Sequence, residues 1–141
     1  LVRGSHLVFA EPLEFGFVLE APSDKRICFA LPYENQTLLG TTEVRQSLSE
    51  PARCSAQETC YLLGAYNRYF REAKTERDMV ASFAGLRPLV QGGHDPTRQS
   101  RECTLEMKGR LITIYGGKWT SSRALGQKVT RSILERSRLL V

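Results

Sequence analysis

The sequence predicts an α+β fold, an antiparallel β-sheet with flanking helices. Three observations carry this reading. Short, turn-rich breaks separate the first apolar runs, and such breaks favour hairpins, because a parallel crossover needs a dozen or more residues. A capping box opens a helical pattern midway along the chain. Near the end, an apolar run, a glycine pair and a second helical pattern follow one another. At 141 residues the chain suits one domain that buries roughly 68% of the surface its unfolded form exposes.

Taken in order, Leu1-Val2-Arg3-Gly4-Ser5-His6-Leu7-Val8-Phe9 lies in or beside a strand. Its Arg3-Gly4-Ser5-His6 run also has the look of a vector scar, a possibility that spacing alone leaves open. Phe15-Gly16-Phe17-Val18-Leu19 is a strand ending at the turn sequence Pro22-Ser23-Asp24-Lys25. Ile27-Cys28-Phe29-Ala30-Leu31 is apolar on both alternations, which predicts a strand buried on both faces. Tyr33-Glu34-Asn35-Gln36 breaks it, and Thr37-Leu38-Leu39-Gly40-Thr41-Thr42 is a third strand.

Ser55-Ala56-Gln57-Glu58 is the capping box. Leu62, Tyr66 and Tyr69 then share one helical face, with Leu63 and Phe70 beside them. That spacing reads as core rather than as a base-stacking platform. Met79-Val80-Ala81-Ser82-Phe83-Ala84 is a strand running into Gly85-Leu86-Arg87-Pro88-Leu89. Pro88 restricts Arg87 to extended backbone, which predicts a guanidinium half-buried and paired at a strand end. Residues 91–100 form a polar loop in which His94 is a solvated side chain.

Cys103-Thr104-Leu105-Glu106-Met107 places Cys103, Leu105 and Met107 on the core face. Lys108-Gly109-Arg110 turns the chain back into Leu111-Ile112-Thr113-Ile114-Tyr115. Gly116-Gly117-Lys118-Trp119-Thr120-Ser121 then leads to a helix starting near Thr120 or Ser121, with Leu125, Val129 and Ile133 as its buried stripe. Lys128, Arg131, Arg136 and Arg138 make its other face basic, as helix C-terminal halves often are. Strand, glycine turn and helix N-terminus can hold an anion or an electron-rich group on backbone N–H donors. The spacing is neither GxGxxG nor GxxxxGK[ST], so a plain chain reversal stays open beside the anion cradle.

Composition narrows the class without choosing a ligand. The chain is 41% hydrophobic and 25% charged, as ordinary water-soluble proteins are. No apolar run approaches the ~20 residues of a membrane-spanning helix, and no signal-peptide pattern stands out in the sequence. A net charge of +5 permits phosphates, nucleic acid or anionic lipid as partners. Cys28, Cys54, Cys60 and Cys103 form no CxxC pair and no zinc-ligand spacing, so free thiols are expected.

Six stretches recur together in register: Arg3-Gly4-Ser5-His6, Leu31-Pro32-Tyr33, Leu39-Gly40-Thr41-Thr42-Glu43, Tyr61-Leu62-Leu63, Phe83-Ala84-Gly85-Leu86-Arg87-Pro88-Leu89 and Gly116-Gly117-Lys118-Trp119-Thr120. With them the chain resembles the respiratory, quinone-linked FAD-dependent glycerol-3-phosphate dehydrogenases over nearly its whole length. The resemblance makes Arg3-Gly4-Ser5-His6 native sequence and implies a D-amino-acid-oxidase-like flavoprotein fold. It also implies a fragment whose ends are cut, with the GxGxxG unit upstream and a helical domain downstream. Residues 1–141 would be the substrate-domain segment, and residues 111–138 the strand and helix that complete the FAD domain.

The implied reaction oxidises sn-glycerol 3-phosphate to dihydroxyacetone phosphate, with hydride passing to FAD and electrons to quinone. Motif by motif, Arg87 would stabilise the developing oxygen charge, and His6 would accept the hydroxyl proton. Arg101 would clamp the substrate phosphate, and Lys118 would lie beside the flavin or the substrate oxygens. Gly116, Gly117, Lys118, Trp119, Thr120 and Ser121 would bind the cofactor, with the Thr120 and Ser121 N–H groups toward the flavin pyrimidine edge. Arg87, Arg101 and Lys118 are thus expected to converge. The FAD site would be incomplete here, leaving the fragment colourless and inactive without the N-terminal FAD-binding segment of the same protein. The resemblance implies a cytoplasmic enzyme peripheral to the inner face of the cell membrane, with no nucleic-acid partner.

Trp119 and Ser122 depart from the family pattern, which usually has leucine and tyrosine there. That departure keeps a second reading open, a piece of another amine- or hydroxyacid-oxidising flavoprotein. A third reading is a non-catalytic basic module for nucleic acid or acidic lipid. A steep salt dependence of binding would mark it, but no helix-turn-helix, zinc-finger, RNP or KH pattern accompanies the charge.

Overall fold

The computed structural model describes residues 1–88 and 103–138. The chain, expected as one domain, divides into two compact units, Leu1–Arg87 and Pro88–Val141. The first is a six-stranded antiparallel sheet with one helix. Its centre is β1 (Val2–Phe9), the strand that opens the chain. One edge of β1 takes β4 (Gln36–Gly40) and then the short β5 (Val44–Arg45). The other edge takes β6 (Met79–Arg87) along its full length. β2 (Phe17–Glu20) and β3 (Ile27–Tyr33) extend the sheet beyond β4. β3 and β4 form a hairpin whose turn residues Glu34 and Asn35 are both left-handed, at φ 46° and 61°. Two such residues match the twist of the flanking strands.

Helix α1 (Ala56–Tyr69) begins at the expected capping box: the Glu58 N–H donates to Ser55 Oγ, and the Ser55 N–H donates to the Glu58 carboxylate. It lies on one face of the sheet, burying Leu62, Leu63, Ala65 and Tyr66 against Leu7, Phe9, Leu19, Cys28, Ala30 and Leu39. Tyr66 stacks on Phe70 at 4.0 Å between ring centroids. Tyr69, expected in this stripe, is half exposed at the rim, where its hydroxyl donates to the Glu20 carbonyl. Burying it would leave that O–H without water.

The expectation that β3 is buried on both faces does not hold. Cys28 and Ala30 are buried under α1, while Ile27, Phe29 and Leu31 are exposed on the opposite face. Only one α-helix is described in this unit, and it covers one side. All four cysteines are free, as expected, and burial raises the Cys28 thiol pKa.

The second unit contains the hairpin of β7 (Thr104–Lys108) and β8 (Leu111–Tyr115), turned at a left-handed Gly109. A single 3-10 turn (Trp119–Ser121) leads into α2 (Ser122–Arg138). Cys103 and Leu105 are partly buried, but Met107, expected in the core, is exposed. Along α2, Leu125 and Val129 are partly buried and Ile133 is exposed. A two-stranded hairpin and one helix offer too little apolar cover for a longer stripe. The Arg136 and Arg138 side chains, His94 with its loop, and Arg101 lie outside the described residues. No described helix is long and apolar enough to cross a membrane.

Candidate functional site

The alternation of β1 divides its side chains between two environments. Arg3 and Ser5 point toward α1, where Glu58 gathers them. Glu58 accepts hydrogen bonds from Ser5 Oγ at 2.7 Å and Thr42 Oγ1 at 2.6 Å, and pairs with Arg3 at 2.8 Å. Burial alone would raise the Glu58 pKa, but the hydrogen bonds from Thr42, Ser5, Ser55 and Arg3 outweigh it and hold the carboxyl at about 2. This cluster pins the helix N-terminus to the central strand.

Gly4 and His6 point the other way. Cross-strand pairing sets Val18, Phe29, Gly40, His6 and Phe83 in one row across five strands. The His6 ring lies over Gly40, where any Cβ would collide with it, and stacks on Phe83 at 4.9 Å between centroids. A shallow hollow of about 80 Å³ opens here, lined by His6, Phe29, Leu31, Leu38, Gly40 and Thr41. His6 Nδ1 is buried, and among the described residues it has no hydrogen-bond partner. Burial first, and then the Arg87 charge, lower its pKa, so the ring is neutral at pH 7.

Arg87 ends β6 on this same face, two pairs along the ladder from Gly85 and Gly4. Its guanidinium lies over Gly4, since a Cβ there would stand 2.6 Å from Nη2. Nη1 donates to Glu43 Oε1 at 3.2 Å and Nη2 to Thr41 Oγ1 at 3.1 Å. Arg87 is therefore half-buried and paired, as its sequence context predicts. A neutral imidazole and an oriented guanidinium on one open apolar face can accept a proton and stabilise a developing oxyanion.

In the second unit, Gly116 and Gly117 are left-handed at φ 75° and 99°. A Cβ on Gly117 would press on Leu125 Cδ2 at 3.1 Å, so glycine lets this turn sit against α2. Lys118 follows in extended backbone, and Trp119 is 93% exposed. The Ser121 N–H, expected to face a ligand, donates back to the Lys118 carbonyl at 3.1 Å.

Comparison with known proteins decides the family. The profile described as FAD dependent oxidoreductase (DAO) matches residues 1–132. The chain belongs to that family. It is 35% identical over 138 residues to a glycerol-3-phosphate dehydrogenase of Pseudomonas aeruginosa, covering 90% of this chain and 27% of that protein. It is 32% identical over 136 residues to a D-erythritol 1-phosphate dehydrogenase of Brucella abortus, covering 91% of this chain and 27% of the relative. The crystal structure of a Bacillus halodurans glycerol-3-phosphate dehydrogenase complexed with FAD superposes with a TM-score of 0.75 at 30% identity, over 97% of this chain and 27% of its own. The chain thus spans about a quarter of the length of these relatives and has their D-amino-acid-oxidase-like fold.

FAD is the cofactor of this family of oxidoreductases. In the second unit, Gly116 and Lys118 are the residues that could meet an electron-rich ring edge, because Gly117 packs against Leu125 and the Ser121 N–H is taken by the Lys118 carbonyl. The structure brings His6 and Arg87 together on one sheet face and sets Gly116 to Ser121 in one turn. Arg87 and Lys118 belong to different units, and Arg101 lies outside the described residues. Sequence reasoning missed Glu43 and Thr41 as partners of Arg87. The available signal was Gly4 inside a strand pattern, which marks a close approach.

Proposed function

We propose that the chain is the substrate-domain segment of a flavoprotein dehydrogenase that oxidises sn-glycerol 3-phosphate to dihydroxyacetone phosphate. The observation that supports this most is the neutral His6, whose Nδ1 has no partner among the described residues, on the same face as the fixed guanidinium of Arg87. When bound, FAD supplies the hydride acceptor and the route for two electrons to a quinone. His6 takes the C2 hydroxyl proton as the C2–H bond breaks and the carbonyl forms. Arg87 holds the developing negative charge on that oxygen, beside the exposed apolar row of Phe29 and Phe83. Gly116 and Lys118 meet the flavin edge, and Arg101 grips the substrate phosphate, for which a bidentate fork is suited. The erythritol phosphate relative supports a phosphorylated polyol as the substrate class.

The test uses an intact flavoprotein carrying this segment. Glycerol 3-phosphate is expected to bleach its yellow flavin absorbance, and Arg87→Ala to cut turnover by about 10²-fold, the scale of one lost oxyanion donor. Bleaching by an amino acid but not by glycerol 3-phosphate refutes the substrate. The 141-residue chain by itself is expected to be colourless and without turnover.

A further inference from the structure

Glu43 stands in the link between β4 and β5, with its side chain only 10% exposed. Buried carboxylates need partners, and Glu43 has an arginine on each side. Arg26 Nη1 donates to the Glu43 carbonyl at 3.2 Å and lies 3.9 Å from Oε2. Arg26 is held in turn by Asp24 at 3.4 Å, and Asp24 Oδ1 accepts from the Tyr61 hydroxyl of α1 at 2.9 Å. Charges of alternating sign therefore run Asp24, Arg26, Glu43, Arg87, from the β2–β3 turn to the open face. On the far side, the Thr41 hydroxyl donates to the Thr42 carbonyl at 3.3 Å, which turns its lone pairs toward Arg87 Nη2. Arg87 reaches both partners because Gly4 has no Cβ beneath it.

We propose that Glu43 is a positioning residue for the reaction, fixing the Arg87 guanidinium over Gly4 beside His6, with Arg26 bracing the carboxylate from behind. Orientation is what an oxyanion donor must have before reaction, since the rearrangement otherwise adds to the barrier. Glu43 also offsets the charge that Arg87 presents to His6. The described groups that face His6 from β3, β4, the link after β4 and β6 are Phe29, Leu31, Leu38, Gly40, Thr41, Phe83 and Arg87, of which Arg87 alone is charged. This role rests on the reading of Arg87 given under Proposed function. A carboxylate that served only to hold the fold would act on stability and leave both the chemistry and the histidine untouched.

The test compares Glu43→Gln, which keeps an acceptor of the same shape, with Glu43→Asp. In the intact flavoprotein, Glu43→Gln is expected to lower kcat about tenfold with KM changed less than about twofold, and Glu43→Asp to recover part of the loss. In the 141-residue chain, with His94→Gln to simplify assignment, NMR titration is expected to show the His6 pKa falling by about half a unit in Glu43→Gln. A folded Glu43→Gln protein with unchanged kcat and unchanged His6 titration overturns the proposal. If Glu43→Gln does not fold, Arg26→Gln loosens the same carboxylate and is expected to lower kcat about threefold. An unchanged kcat there overturns the proposal as well. Arg87→Ala run in parallel separates the two readings: no loss removes both, whereas a large loss beside an indifferent Glu43→Gln removes only the positioning role.

Discussion

Arg3 and Ser5 face α1 across a closed polar cluster, while their neighbours on β1, Gly4 and His6, face an open apolar surface. On the closed side, Glu58 accepts from Ser5, Thr42 and Ser55 and pairs with Arg3. On the open side, a buried ring nitrogen has no described partner, and Phe29, Leu31 and Phe83 are exposed. Arg3 Nε on the closed side is also buried without a described partner, so the contrast rests on Glu58, whose carboxylate is engaged by four neighbours. An orphaned polar atom among exposed aromatics contributes nothing to folding and suits a ligand. One strand thus serves stability on one side and chemistry on the other.

The contrast breaks most sharply at Glu58. Glu58→Leu strands the buried Arg3 charge, and chemical denaturation is expected to show a loss of about 3–5 kcal/mol. Acid should find the same cluster. The Glu58 pKa falls from 4.5 unfolded to about 2 folded, so its contribution is whole above pH 4.5 and is lost as pH falls toward 2. About 3 kcal/mol should disappear over that window. An acid-unfolding curve in Glu58→Leu that matches the parent's in depth and position would refute this.

The open face should respond in activity before stability. Gly4→Ala places a methyl where Arg87 Nη2 and Thr41 Oγ1 now lie. A flexible arginine can move aside, so stability should drop by less than about 1 kcal/mol while turnover of the intact flavoprotein falls about tenfold. A larger fall in stability than in turnover would erase the distinction between the faces. The smallest effect belongs to Phe29→Ser, an exposed member of the His6 row. Its melting free energy should stay within about 0.5 kcal/mol of the parent.

Local order was legible in the sequence and long-range order was not. The Ser55–Glu58 capping box, the Glu34-Asn35 turn and the paired, half-buried Arg87 could all be read from neighbouring residues. That Glu58 also reaches Ser5, 53 positions away, leaves no local trace. Nor does the central place of β1, which depends on three pairings spread over the unit. The β3 error has a physical cause: apolar residues on both alternations signal two burial events, and here one of them is not met within the unit. His6 and Arg87 entered through resemblance, and only coordinates show that cross-strand register sets them on one face. Glu43 stood inside a noted run, yet its bond to Arg87 spans 44 positions.

The period-two geometry of β1 makes length more critical than identity in this segment. Inserting a single residue between Gly4 and Ser5 would exchange the sides: the imidazole would turn inward against the helix, and the serine hydroxyl outward. Conservative replacements at Leu7 or Val8 leave that parity intact. Across descendants of this gene, substitutions should therefore accumulate along the strand far more readily than one-codon insertions or deletions.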